Sequence, residues 1–179
     1  MTNNAVTGRL GPAPDDIMLT RLVAGGAWTG AVGGGLRILA GFIPHVPDQP
    51  WLELLYGVID IGMLFGLLAA WLFTAELVGA IGLGGFVVAL TGLASIVGPD
   101  SEAFGIDFYL LGAAVFMLGL MVFAIQLVRH RVLAWAGRLW LVAASSAIIF
   151  ALTASTPALI VSGVSLGLGY IAAARAMVR

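Results

Sequence analysis

Long apolar stretches, separated by short polar breaks, dominate the chain. The hydrocarbon core of a bilayer is about 30 Å thick and needs about 20 helical residues, so each charge-poor stretch of that length predicts a membrane span. Four such stretches are separate, and a fifth, Leu139 to Ala174, is too long for one helix. It divides at Ser155-Thr156-Pro157, because serine or threonine followed by proline is typical of a helix start. The pattern predicts six helices, over residues 18–43, 51–73, 77–97, 108–128, 137–154 and 157–175.

These helices define the domain organisation. Residues 1–16 contain prolines and acidic residues, without a basic cluster ahead of an apolar core, so they are predicted to form a short tail rather than a cleaved signal peptide. Residues 17–179 then form a single six-helix domain. The turn between the second and third helices is predicted at Thr74-Ala75-Glu76, where Glu76 alone interrupts the apolar run.

Composition supports an all-α polytopic transmembrane bundle. Of the 179 residues, 61% are hydrophobic and 9% are charged, whereas soluble domains carry roughly 25% charged residues. The net charge of −1 offers no basic surface for nucleic acid. The chain has no cysteine, which excludes disulfides, thiolate metal sites and iron–sulfur clusters. It also has no lysine, which excludes a Schiff-base cofactor such as retinal.

The arginines predict the orientation, because cytoplasmic loops and helix ends collect them. If both termini are cytoplasmic, only Arg37 falls toward the outer side. The other seven then lie on the cytoplasmic side: Arg9, Arg21, Arg129, Arg131, Arg138, Arg175 and Arg179. We therefore predict that both termini are cytoplasmic.

The helical wheel of the first predicted helix explains why Arg37 lies toward the outer side, unlike the other arginines. Its glycines share one sector, and Arg37 projects into the middle of that sector. The spacing Gly26-xxx-Gly30-xxx-Gly34 is the small-residue pattern that lets helix backbones approach closely. Trp28 and Arg21 lie on the opposite side, so we expect the glycine face to pack inside the protein and Trp28 to face lipid.

The second predicted helix carries carboxylates in an apolar environment, where charge is costly and usually has a partner or a task. Glu53, Tyr56 and Asp60 are spaced by three and four residues and share one helix face. Along their helices, Asp60 and Arg37 have matching depths from the short connection at residues 44–50. We therefore predict that Asp60 is the buried counter-ion of Arg37, which cannot lose its proton and needs an anion.

Two interpretations of this cluster stay open. The pair can fix helix register without binding anything, as buried ion pairs sometimes do. Alternatively, Arg37, Glu53, Tyr56 and Asp60 line an outward-open cavity that binds a small polar ligand, an ion or a proton.

Other chemistry is weakly represented in the sequence. The predicted outer loops contain possible ligands of a divalent cation: His45, Asp48, Asp100, Glu102 and Asp107. Carboxylates on such loops are usually solvated rather than metal-bound. His45 and His130 are predicted on opposite sides of the membrane, which excludes a haem held by both. No nucleophile and base can be assembled from the inventory, so we expect no enzyme, no cofactor and no metal site.

The stretches "LRILAGFIP" and "LLYGVIDIGMLFGLLA", with arginine-bearing inner turns, make the chain similar to small six-span bacterial inner-membrane proteins of unknown function. This resemblance implies a bacterial inner-membrane location and transfers no activity. The first functional hypothesis is a small-ligand or ion binding protein of transport type. The alternative is a non-catalytic accessory or scaffold subunit, with the bilayer around it and with a membrane-protein partner, or a second copy, bound through the glycine-rich helix faces.

Overall fold

The computed structural model describes residues 14–43, 49–97, 102–103 and 106–179. These residues form five α-helices and one antiparallel pair of two-residue strands, which confirms the all-α class. The elements are α1 (Pro14–Ala40), α2 (Pro50–Ile96), β1 (Glu102–Ala103), β2 (Ile106–Asp107), α3 (Phe108–Arg129), α4 (Ala134–Thr153) and α5 (Thr156–Met177). Residues 1–13 of the predicted tail, and His45, Asp48 and Asp100 of the predicted loops, lie outside the described residues.

The second and third predicted helices form one element, α2, and the turn predicted at residues 74–76 is wrong. The helix continues there, and the buried Thr74 hydroxyl donates a hydrogen bond of 2.7 Å to the Ala70 carbonyl. The backbone leaves helical geometry at Gly79, with φ 61° and ψ −167°, a conformation that essentially only glycine adopts. The described residues therefore contain five helices rather than six.

The break at Gly79 bends α2 sharply. Trp71 and Phe86 are fifteen positions apart, which would separate them by about 22 Å along a straight helix, yet their rings stack with centroids 4.9 Å apart. The element thus consists of a first arm, residues 50–78, and a second arm, residues 80–96, that fold toward each other.

Four of the helices are long and apolar enough to cross a membrane: α2, α3, α4 and α5. The glycine-rich α1 is not among them in the part of the chain that the structure describes. Helices of this length and composition are those of a membrane protein.

The helices are arranged around a common core. Contacts join α1 to α2 and α5, α3 to α2 and α4, and α4 to α5. Gly26 meets Phe65 whereas Gly33 meets Ile59, so α1 runs antiparallel to the first arm. Going around the bundle, the order is first arm, α1, α5, α4, α3, second arm, and the stacked rings of Trp71 and Phe86 close it.

The glycine face of α1 packs tightly inside the protein, as the helical wheel predicts. A Cβ atom built on Gly30 would lie 2.6 Å from the Cα of Gly66, and one on Gly34 would lie 2.6 Å from the Gly167 carbonyl oxygen. Both distances are far shorter than van der Waals contact, so only glycine fits. On the opposite side Arg21 is exposed and Trp28 is 63% exposed, which confirms the predicted orientation of the helix.

A row of aromatic side chains fills the core between the helices. Ring centroids are 6.2 Å apart for Phe86 and Phe123, 6.3 Å for Phe123 and Trp140, and 5.1 Å for Trp140 and Tyr170. These separations lie in the range of favourable aromatic pairs. The row links the second arm, α3, α4 and α5, and it fixes the position of α5 against which α1 is placed.

Candidate functional site

A cavity of about 400 Å³ lies where α1 ends and α2 and α5 begin. Each helix contributes to it through residues near its terminus, because α1 and α5 run antiparallel to each other and α1 runs antiparallel to the first arm of α2. The lining residues are Arg37, Ala40, Gly41, Phe42, Ile43, Tyr56, Thr156, Leu159, Ile160 and Gly163.

Arg37 and Tyr56 are the two predicted site residues that line the cavity. Both side chains are half-buried. The guanidinium carbon of Arg37 lies 5.9 Å from the centroid of the Tyr56 ring, which is cation–π distance. This contact orients the guanidinium on the aromatic face but provides no counter-charge.

Asp60 is buried, with 6% of its surface exposed, but it does not line the cavity. Within the described residues no carboxylate oxygen lies within 4.0 Å of an Arg37 nitrogen, so the predicted ion pair is not formed. Asp60 lies one helical turn deeper than Tyr56, about 6 Å along the axis. There it interacts electrostatically with both Arg37 and Tyr170 without contacting the guanidinium.

Glu53 lies outside the cavity. Its side chain is exposed, and it lines no part of the cavity wall. Glu53, Tyr56 and Asp60 share one helix face, but that face extends over two turns. Their surroundings differ because α1 and α5 cover only the deeper part of the face. The structure thus places two of the four predicted residues at the cavity, one behind it and one on the surface.

The α5 wall of the cavity was missed by sequence reasoning. Thr156 is the first residue of α5, and Gly163 lies two turns further along the same helix. The Ser155-Thr156-Pro157 signal for a helix start was already visible, but nothing in the sequence indicates that this terminus approaches Arg37. A Cβ atom built on Gly163 would meet only the Arg37 Nε, at 3.9 Å, so the glycine leaves room beside the guanidinium.

The chemistry available at the cavity wall is hydrogen bonding around one positive charge. Arg37 offers up to five N–H donors, and the Tyr56 and Thr156 hydroxyls can donate or accept. The other seven lining residues offer apolar side chains or glycine. Among the residues with described side chains, no group of three histidine, cysteine, aspartate or glutamate residues is placed to hold a metal ion.

Comparison with family models, with curated proteins and with solved structures gives no match to this chain. The geometry of the cavity and the arrangement of the helices therefore carry the functional argument. What they establish directly is a helical bundle of the kind found in integral membrane proteins, with one arginine-lined cavity at the end where α1 stops and α5 starts.

Proposed function

We propose that this chain is a six-span integral membrane protein with both termini cytoplasmic, which binds a small ligand in the cavity at its outer end. The observation that carries the ligand proposal is the cavity of about 400 Å³ with Arg37 in its wall and no carboxylate among the described residues that line it. Ligand sites typically have volumes of about 300–1,000 Å³ and are mainly apolar, with a few placed polar groups. The cavity has that volume and that composition.

The bend of α2 supports the six-span topology. Its first arm is about 43 Å long and its second about 26 Å at 1.5 Å per residue, and each has the length of one bilayer crossing. Counted as two crossings, α2 brings the four candidate spans to five crossings, and α1, whose 27 residues are long enough but less apolar, would be the sixth. An even number places both termini on one side, and the distribution of arginines favours the cytoplasm. In a bacterium that membrane is the inner membrane.

Topology is tested by fusing a reporter that is active only in the cytoplasm. We expect activity for fusions at Arg179 and at Gly79, because in this arrangement the first arm of α2 and the helix α5 both end on the cytoplasmic side. A fusion inside residues 98–101, between α2 and β1, should be silent. An active fusion there together with a silent one at Arg179 would contradict the six-span arrangement.

The ligand proposal is tested by native mass spectrometry after purification in mild detergent. We expect the wild-type protein to retain a small molecule and Gly163→Leu to lose it, because a leucine side chain at this position extends into the cavity beside Arg37. Gly35→Leu is the matched control, since no atom lies within 4 Å of a Cβ built there. Both variants should keep the helical circular dichroism spectrum of the wild type, and the midpoint of Gly163→Leu should fall only by the stabilisation that the lost ligand supplied.

Two outcomes would contradict the ligand proposal. Equal retention of the small molecule by Gly163→Leu and wild type would place the binding site elsewhere. Retention of a second polypeptide without any small molecule would favour the accessory-subunit alternative. The glycine face of α1 is already occupied within the chain by α2 and α5, so a partner would have to use other surfaces.

A further inference from the structure

We propose that the ligand of this cavity is an amphipathic oxyanion, a carboxylate or phosphate group joined to an apolar body, with the oxyanion held by Arg37. This inference rests on the proposed function and adds the chemical class of the ligand. It follows from the charge, the hydrogen-bonding groups and the apolar walls of the cavity.

Among the described residues, the wall of the cavity carries one positive charge and no carboxylate. The guanidinium of Arg37 is a cation, and the aromatic ring that it faces, that of Tyr56, is neutral. Asp60 and Glu53, the carboxylates nearest along α2, are absent from the lining. A half-buried guanidinium without a counter-ion binds an anion more favourably than a cation or a neutral group, because the anion replaces its lost hydration.

The hydrogen-bonding groups around Arg37 suit oxygen atoms that carry negative charge. The guanidinium presents paired N–H donors that match the geometry of carboxylate and phosphate. The Thr156 hydroxyl lies at the first residue of α5, and the N-cap residue Ser155 makes no side-chain capping bond to that helix. The positive end of the α5 helix dipole is therefore at the cavity, where it adds to the attraction of Arg37 for an anion.

The rest of the cavity calls for an apolar body. Phe42, Ile43, Leu159 and Ile160 form most of the wall away from Arg37. A small hydrated anion such as inorganic phosphate would leave these apolar side chains exposed to water, whereas an alkyl chain beside the oxyanion would cover them. The two sources of such a molecule are a membrane lipid with an anionic headgroup and a free alkyl acid.

The experiment compares four probes that share a six-carbon chain and differ in the head: hexanoate, hexylphosphonate, hexylammonium and hexanol. Binding to the purified full chain is measured by isothermal titration calorimetry, in a detergent with a neutral headgroup. We expect hexanoate and hexylphosphonate to bind at least about tenfold more tightly than hexanol, the factor that a charge-assisted hydrogen bond supplies. Hexylammonium should not bind.

Two charge-removing variants provide the comparison. Arg37→Gln should reduce the affinity for hexanoate to that for hexanol, while Arg21→Gln, which removes the same charge from the exposed part of α1, should leave both affinities unchanged. Inorganic phosphate serves as the head without a chain and should bind at least about tenfold more weakly than hexylphosphonate, because it covers none of the apolar wall.

The outcomes separate this inference from the proposed function. Equal binding of hexanol and hexanoate that is lost in Gly163→Leu would overturn the oxyanion class and leave the cavity as a ligand site. No binding of any probe, with Gly163→Leu and wild type indistinguishable, would overturn both. Preference for the anions that survives in Arg37→Gln would also overturn the inference, because Arg37 would not be the group that recognises the charge.

A second experiment identifies the source of the ligand. The protein is placed in nanodiscs of phosphatidylcholine alone or with phosphatidylglycerol, and bound lipid is counted by native mass spectrometry. Retention of phosphatidylglycerol by wild type and Arg21→Gln, with loss in Arg37→Gln, identifies a lipid headgroup. Binding of hexanoate without retained phosphatidylglycerol identifies a free acid. Both results support the oxyanion class.

Discussion

Replacing Trp140 by alanine is expected to lower the free energy of unfolding by about 3–5 kcal/mol, the range found for removing a buried aromatic side chain. Trp140 is fully buried, and its ring contacts those of Phe123 and Tyr170. Alanine would leave a cavity between α3, α4 and α5, which the surrounding helices cannot fill without moving. The measurement is reversible unfolding in mixed micelles, followed by circular dichroism.

Two further variants separate packing from hydrogen bonding at Trp140. The indole Nε1 is buried and has no hydrogen-bond partner among the residues that the structure describes, so Trp140→Phe should recover most of the lost stability. Trp28→Ala, at a position that is 63% exposed, should change the free energy of unfolding by less than about 0.5 kcal/mol. A Trp140→Phe variant as unstable as Trp140→Ala would show that the indole nitrogen matters and that the packing argument is wrong.

Gly30→Leu is expected to prevent α1 from packing on the first arm of α2. The Cβ atom alone would lie 2.6 Å from the Cα of Gly66, and backbone cannot rotate away as a side chain can. The helices would have to separate, which costs at least the upper end of the 1–3 kcal/mol typical of overpacked cores, about 3 kcal/mol. The measurements are the yield of monodisperse protein in mild detergent and the thermal unfolding midpoint.

Gly35→Leu is the control for this prediction, because it adds the same side chain to the same helix where no atom lies within 4 Å of the Cβ position. We expect it to unfold like the wild type. If Gly30→Leu also unfolded like Gly35→Leu, the close approach of α1 and α2 would not exist in the membrane. Gly30→Ala should give an intermediate loss, since the clash begins at Cβ.

The packing face of α1 could be predicted from the sequence because helical geometry decides it locally. A period of 3.6 residues places Gly26, Gly30 and Gly34 together and Trp28 opposite them, whatever the rest of the chain does. The start of α5 was likewise marked by Ser155-Thr156-Pro157, because proline fits the first turn of a helix. Such features need no knowledge of which helices are neighbours.

The position of the break in α2 could not be predicted in the same way. Glu76 interrupts the apolar run, but both it and Ala75 favour helix, and the Thr74 hydroxyl is satisfied within the helix. Gly79 makes the bend, but the chain has 25 glycines, and no local pattern distinguishes this one from the rest. Only the three-dimensional arrangement shows which glycine has positive φ.

The Arg37 surroundings illustrate the other limit of sequence reasoning. Equal depth along two antiparallel helices is necessary for an ion pair, but it does not set the direction in which each side chain points. Tyr56, one turn above Asp60, meets the guanidinium instead. The α5 residues Thr156 and Gly163 are more than a hundred positions from Arg37, and no local pattern connects them to it.

The contact between α1 and α5 has a consequence for how the protein is made. Chains are synthesised from the N-terminus, so α1 is made before α5, and the contact between them forms only once α5 has left the ribosome. Until then Gly34 has no Gly167 to pack against, and the cavity lacks the wall formed by Thr156 and Gly163. The cavity is therefore complete only after α5 has been made, and a nascent chain stopped after α4 would carry Arg37 without the α5 wall beside it.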